Sequence, residues 1–223
     1  MGLFSMKVTK YFLEKNFLMV ERETVLRYSG KQLLQSTFFL GKKKRYKKIF
    51  FTEVFHVFVT LFLYMHYGFS NRFVFISFFS AILFCIALID GAKGIIPDAL
   101  LGVLGSGAIV FGFFQDDRPL LFLLEGFAAG GSVLWSIFLL SRGGMGEGDI
   151  KFAAVMGLWL GWENSLLMLF LAFFFGAAAG LFLLESHKVS MQDAVPFGPF
   201  LSGAGFISCI YGVEILQFYR GCF

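Results

Sequence analysis

Residues 73–89 read FVFISFFSAILFCIALI and are followed at once by Asp90. The run holds no formal charge, and as a helix it rises about 26 Å. That is close to the ~30 Å hydrocarbon thickness of a bilayer. Its aliphatic and aromatic side chains show no two-residue alternation, so it reads as a helix apolar nearly all round rather than a strand. Similar runs lie on both sides, at 49–67, 98–115, 119–140, 150–162, 164–184 and 197–217.

The whole chain fits this reading. Of its 223 residues 57% are hydrophobic and only 15% charged, against about 25% charged in a soluble domain. Mean hydropathy is +0.76, more apolar surface than one soluble core of this length can hide. The prediction is an all-α, polytopic transmembrane helical bundle of about seven spans, with a basic N-terminal segment over 1–48 and a membrane-embedded domain over 49–223. Segment 150–162 is short for a span, rising only about 20 Å, and is expected to start inside the bundle. Gly126 and Gly130, and Gly176 and Gly180, have the small-xxx-small spacing that lets helix backbones approach closely.

Charge is unevenly spread. Residues 1–48 carry 12 of the 19 Lys and Arg, including Lys42, Lys43, Lys44, Arg45, Lys47 and Lys48. A basic cluster abutting an apolar span is a topology signal that stays cytoplasmic and touches anionic lipid; nucleic acid is not expected as a partner. Alternating the spans from that start puts 90–97, 141–149 and 185–196 on the inner side and leaves only Arg72, Arg118 and Arg220 outside. Cys85, Cys209 and Cys222 form no CxxC pair, so neither a disulfide framework nor a metal site is expected.

This topology brings Asp90 and Asp149 to the same face of the membrane without reference to any motif. Carboxylates near hydrocarbon are costly, about 2.5–3.5 kcal/mol at a helix centre. Two that meet in a poorly hydrated site share a proton, so one can activate water while the other protonates a leaving group. Acids at an interface also serve as helix caps or ion-pair partners. The run GGMGEGD over 143–149 bears on the choice, because its glycines allow an extended peptide to lie against bare backbone beside the acid. Asp149 as an N-cap is the plainer alternative.

GMGEGDIKFAAVMGLWLGW at 144–162 resembles the GxGD segment of type IV prepilin leader peptidases, with Lys151, Leu160, Gly161 and Trp162 in matching places. IDGAKGIIPD at 89–98 is similar to that family's first aspartate segment: Asp90 fits the catalytic position and Asp98 the acid after the proline. VPFGPF at 195–200 resembles the PFGP motif that opens the family's last span. The resemblance implies an aspartyl endopeptidase that removes the basic leader of a prepilin or pseudopilin at the cytoplasmic face of a bacterial inner membrane. Asp90 and Asp149 would be catalytic, and Gly144, Gly146, Gly148, Asp98, Lys151 and Glu53 would lie against the substrate. No cofactor and no metal are expected. Many members carry a further N-terminal span and a cytoplasmic insert with two CxxC pairs; residues 26–56 contain no cysteine, so this chain is expected to be a short form without the Cys-rich insert. Methylation of the new N-terminus, which bifunctional members perform with S-adenosylmethionine, is left open. Two rivals remain at this point: a transporter or channel that uses the acids as an ion path, and a family member that binds pilin-like helices without cutting them.

Overall fold

Backbone that must satisfy its own hydrogen bonds in an apolar setting folds into helices. The computed structural model describes residues 52, 54–114, 120–141, 144–186 and 196–222, and among them it contains helices and no strand. The helices are α1 (Val54–Tyr67), α2 (Asn71–Lys93), α3 (Asp98–Phe113), α4 (Leu120–Leu140), α5 (Glu147–Glu185) and α6 (Gly198–Gly221). The protein is all-α, and α2, α4, α5 and α6 are long and apolar enough to cross a membrane. The basic segment 1–48 and Glu53 lie outside the described residues.

The chain divides into two compact units, residues 1–81 and 82–223, with the boundary inside α2. In the first, Gly68 at φ 61° reverses the chain after α1 and the Ser70 hydroxyl accepts the Phe73 N–H at the start of α2. Tyr64 meets Phe73 edge-on at 5.8 Å.

The second unit is built around α5. A straight helix of 39 residues would run about 58 Å, yet both ends of α5 come to the start of α6. Asp149, near its beginning, shares a cleft with Asp90, and Asp90 is bonded to Gly198. Near its end, Gly176 packs under the rings of Phe197 and Phe200, and Phe173 lies 5.2 Å from Phe197. Midway, Met156 and Met168 both reach Gly205. The helix therefore folds back on itself, and the hinge is Gly161 at φ 75°, ψ 176°, a backbone region open essentially to glycine alone. Asn164 donates to the Leu160 carbonyl and Ser165 to that of Gly161, serving the backbone at the bend. The expected segments 150–162 and 164–184 are thus two arms of α5.

The arm 147–160 is gripped from both sides. Against α4, a Cβ at Gly126 or Gly130 would overlap the carbonyls of Gly157 and Ala153, so this small-residue pair lets the two backbones touch. The other pair does not behave so: Gly176 sits under aromatic rings, while Gly180 has open space where a Cβ would go. Against α3, the Trp159 indole N–H donates to the Leu104 carbonyl at 2.9 Å, and its ring stacks on Phe111 at 5.4 Å.

Candidate active site

Along α2, residues Ile82, Ile86, Ile89 and Asp90 are all buried, a spacing that puts them on one helical face. Asp90 is only 4% exposed. The helix runs to Lys93, one turn further than the inner loop expected from 90 onward. It stops because Gly94 adopts φ 64° and returns its N–H to the Asp90 carbonyl, a left-handed glycine termination. Residues 95–97 then run without helical structure until Pro97, extended at φ −71°, ψ 123°, leads into α3.

Asp149 arrives from the opposite direction. Gly146, extended at φ −70° and ψ 134°, is the N-cap of α5. Asp149 follows in the first turn, its own N–H on the Gly146 carbonyl at 3.2 Å. The N-cap alternative for Asp149 is therefore not what the fold shows, although an acid in a first turn does favour the helix dipole. The glycines permit close approach on two sides. A Cβ at Gly146 would lie 3.2 Å from Asp149 Oδ2, and one at Gly148 would lie 3.3 Å from Ile96. The extended stretch of the glycine run ends at Gly146, since Glu147 and Gly148 are already helical.

Asp90 and Asp149 line one cleft of about 300 Å³, together with Asp98, Glu147, Lys151, Gly146, Gly148 and residues 94–96. The Asp90 charge acts on Asp149 across it. The Asp90 carboxylate takes the Gly198 N–H into Oδ2 at 2.8 Å. Lys151 Nζ pairs with Asp98 Oδ1 at 3.1 Å on the cleft's exposed rim; at such exposure a pair contributes at most about 1 kcal/mol. Two carboxyl groups over bare backbone in a small cleft can hold an extended peptide and pass protons to and from it.

Of the residues singled out from the sequence, the structure brings together Asp90, Asp149, Gly146, Gly148, Asp98 and Lys151. Gly144 is not among the cleft's lining residues; its N–H goes to Ser141 at 3.2 Å. Glu53 lies outside the described residues. Sequence reasoning passed over Glu147 and residues 94–96, which line the cleft, and Gly198, which touches Asp90. Glu147 could have been found as the charged member of the glycine run; Gly198 falls within the PFGP-like stretch at 195–200, but nothing in that stretch names Asp90 as its partner. No group of three His, Cys, Asp or Glu suited to a metal occurs among the described residues.

Helices long and apolar enough to cross a bilayer, with acids from two of them meeting in one cleft, define a multi-pass membrane protein of the paired-carboxylate class. Residues 77–181, which include both aspartates, match the model of the type IV leader peptidase family. Relatives named prepilin leader peptidase/N-methyltransferase agree. The protein from Aeromonas salmonicida (strain A449) is 37% identical over 145 residues, covering 62% of this chain and 49% of the relative. That from Pseudomonas putida is 38% identical over 139 residues, covering 60% and 48%. That from Legionella pneumophila is 32% identical over 180 residues, covering 77% and 61%. The chain spans about half the length of the curated relatives it matches first. No solved structure matches it.

Proposed function

We propose that this protein is an aspartyl endopeptidase of the membrane that removes the leader from type IV prepilins or pseudopilins, with Asp90 and Asp149 as the catalytic pair. The observation that carries this reading is the cleft itself, which joins two carboxyl groups 59 residues apart in sequence beside glycine backbone. Gly146 and Gly148 supply the surface for an extended peptide, and Asp98, Glu147 and Lys151, with Lys151 paired to Asp98, leave a rim that is net negative toward a basic leader. The chemistry needs water and two carboxyl groups, with no cofactor. The concentration of 12 of 19 basic residues in 1–48 supports an orientation with the cleft toward the cytoplasm, and the bacterial sources of the relatives support an inner membrane.

Co-expression with a type IV prepilin tests it. Wild type removes the leader, seen as a mobility shift and a new N-terminus, and Asp90→Asn and Asp149→Asn each lower the rate by about 10²–10⁴. Leader removal that survives both substitutions overturns the assignment. Failure of wild type to cut any prepilin returns the acids to the ion-path or binding-only readings.

A further inference from the structure

Asp90 and Asp149 are not held alike. Asp90 is 4% exposed, and its Oδ2 accepts the N–H of Gly198, which opens α6, at 2.8 Å. The fit leaves no room for a side chain at that position: a Cβ on Gly198 would lie 2.6 Å from Oδ2 and 2.9 Å from Cγ. Pro199 follows in the first turn, where its fixed φ sets the direction in which the helix opens.

An N–H donated to a carboxylate favours its charged form, and the first turn of a helix adds to this. Asp149, which lines the same cleft, has no such donor among the described residues. The other charged groups at the cleft are Asp98 on α3 and Glu147 and Lys151 on α5, with Lys151 already paired to Asp98. The first two turns of α6, GPFLSGA, bring no charge.

Resting on the peptidase reading, we infer that Gly198 is the positioning residue of the pair: its N–H fixes Oδ2 of Asp90 and makes Asp90 the carboxylate that accepts the proton of water, leaving Asp149 as the carboxyl that donates one. In that sequence the water oxygen bonds to the scissile carbonyl carbon while its proton passes to Asp90. The Asp149 proton passes to the carbonyl oxygen. When the C–N bond breaks, the Asp90 proton goes to the leaving nitrogen and Asp149 recovers a proton from the hydroxyl. One water is consumed and both groups return to their starting state.

The test is the pH–rate profile of prepilin cleavage by Gly198→Ala, with Gly203→Ala on the same helix as control, since a Cβ there meets nothing within 4 Å. Gly198→Ala is expected to lower kcat tenfold or more, to leave KM within twofold, and to move the acid limb up by about one pH unit; Gly203→Ala moves neither. Movement of the alkaline limb alone overturns the role assignment, and an unchanged profile with unchanged kcat overturns the positioning role. If Gly198→Ala does not fold, the amide resonance of Gly198 decides. Labelling with ¹³C-carbonyl phenylalanine and ¹⁵N-glycine selects only Gly112, Gly176 and Gly198, the glycines that follow Phe in this chain. Asp90→Asn shifts the Gly198 resonance and leaves the other two in place; a Gly198 resonance that does not respond refutes the contact. Absence of cleavage by wild type fails the peptidase reading and is separable, because the resonance reports the Asp90 contact without activity.

Discussion

Truncating Trp159 tests the packing that carries Asp149 to the cleft. Trp159 is 1% exposed, stacks on Phe111 and donates its indole N–H to the Leu104 carbonyl at 2.9 Å. Trp159→Phe keeps the stack and loses the hydrogen bond, about 1 kcal/mol, plus a further ~1 kcal/mol for the void left by the smaller ring. Trp159→Ala removes stack, bond and most of the volume, a loss of about 3–5 kcal/mol. For a chain of this size 1 kcal/mol moves the melting midpoint by about 2–4 °C, so Phe should lower it by roughly 4–8 °C and Ala by roughly 6–20 °C. The assay is thermal unfolding of the purified protein in detergent, followed by tryptophan fluorescence. A Trp159→Ala melt within about 2 °C of wild type would refute the grip of α3 on this arm, and equal losses for Phe and Ala would place the stabilisation in the hydrogen bond instead of the ring.

Gly161→Ala should prevent correct folding, because φ 75° with ψ 176° excludes a Cβ and the Phe122 ring occupies its place; Gly180→Ala, with open space around it, should be neutral in the same expression and melting assay. Lys151→Ala should lower the melting midpoint by no more than a few degrees, since its partner Asp98 is exposed and the pair contributes at most about 1 kcal/mol; a larger loss would show that the lysine has a structural role beyond this pair. Glu147→Gln should raise KM for a leader rich in Lys and Arg several-fold, leave kcat near wild type, and weaken the dependence of KM on salt.

Hydropathy located the helices because membrane-spanning backbone leaves few alternatives. Ends were harder to read. The loop expected at 90–97 starts later because the chain stays helical until Gly94 turns left-handed, and composition alone does not reveal which glycine takes that conformation. Asp90 was legible as the acid at the inner end of the apolar run 73–89, and Asp149 as the acid that closes a glycine run. Their neighbours were less so. The Gly198–Asp90 bond joins residues 108 apart, and the Lys151–Asp98 pair residues 53 apart. Such contacts depend on how helices pack, and a single sequence encodes that only through volumes and clashes. The fold-back at Gly161 fell between: the polar Glu163 marked a break between apolar runs, but the reversal rests on one dihedral.

That single-residue bend also constrains how the protein is made. The arm 147–160 rises only about 21 Å, too little to cross ~30 Å of hydrocarbon unaided, and it leads through Gly161 directly into the longer, more apolar arm. The translocon must therefore receive both arms as one helical hairpin, with its tip entering first. Asp149 sits in the first turn of the shorter limb, at the end away from the tip, so the limb that carries it is held in the bilayer by the longer arm rather than by its own length.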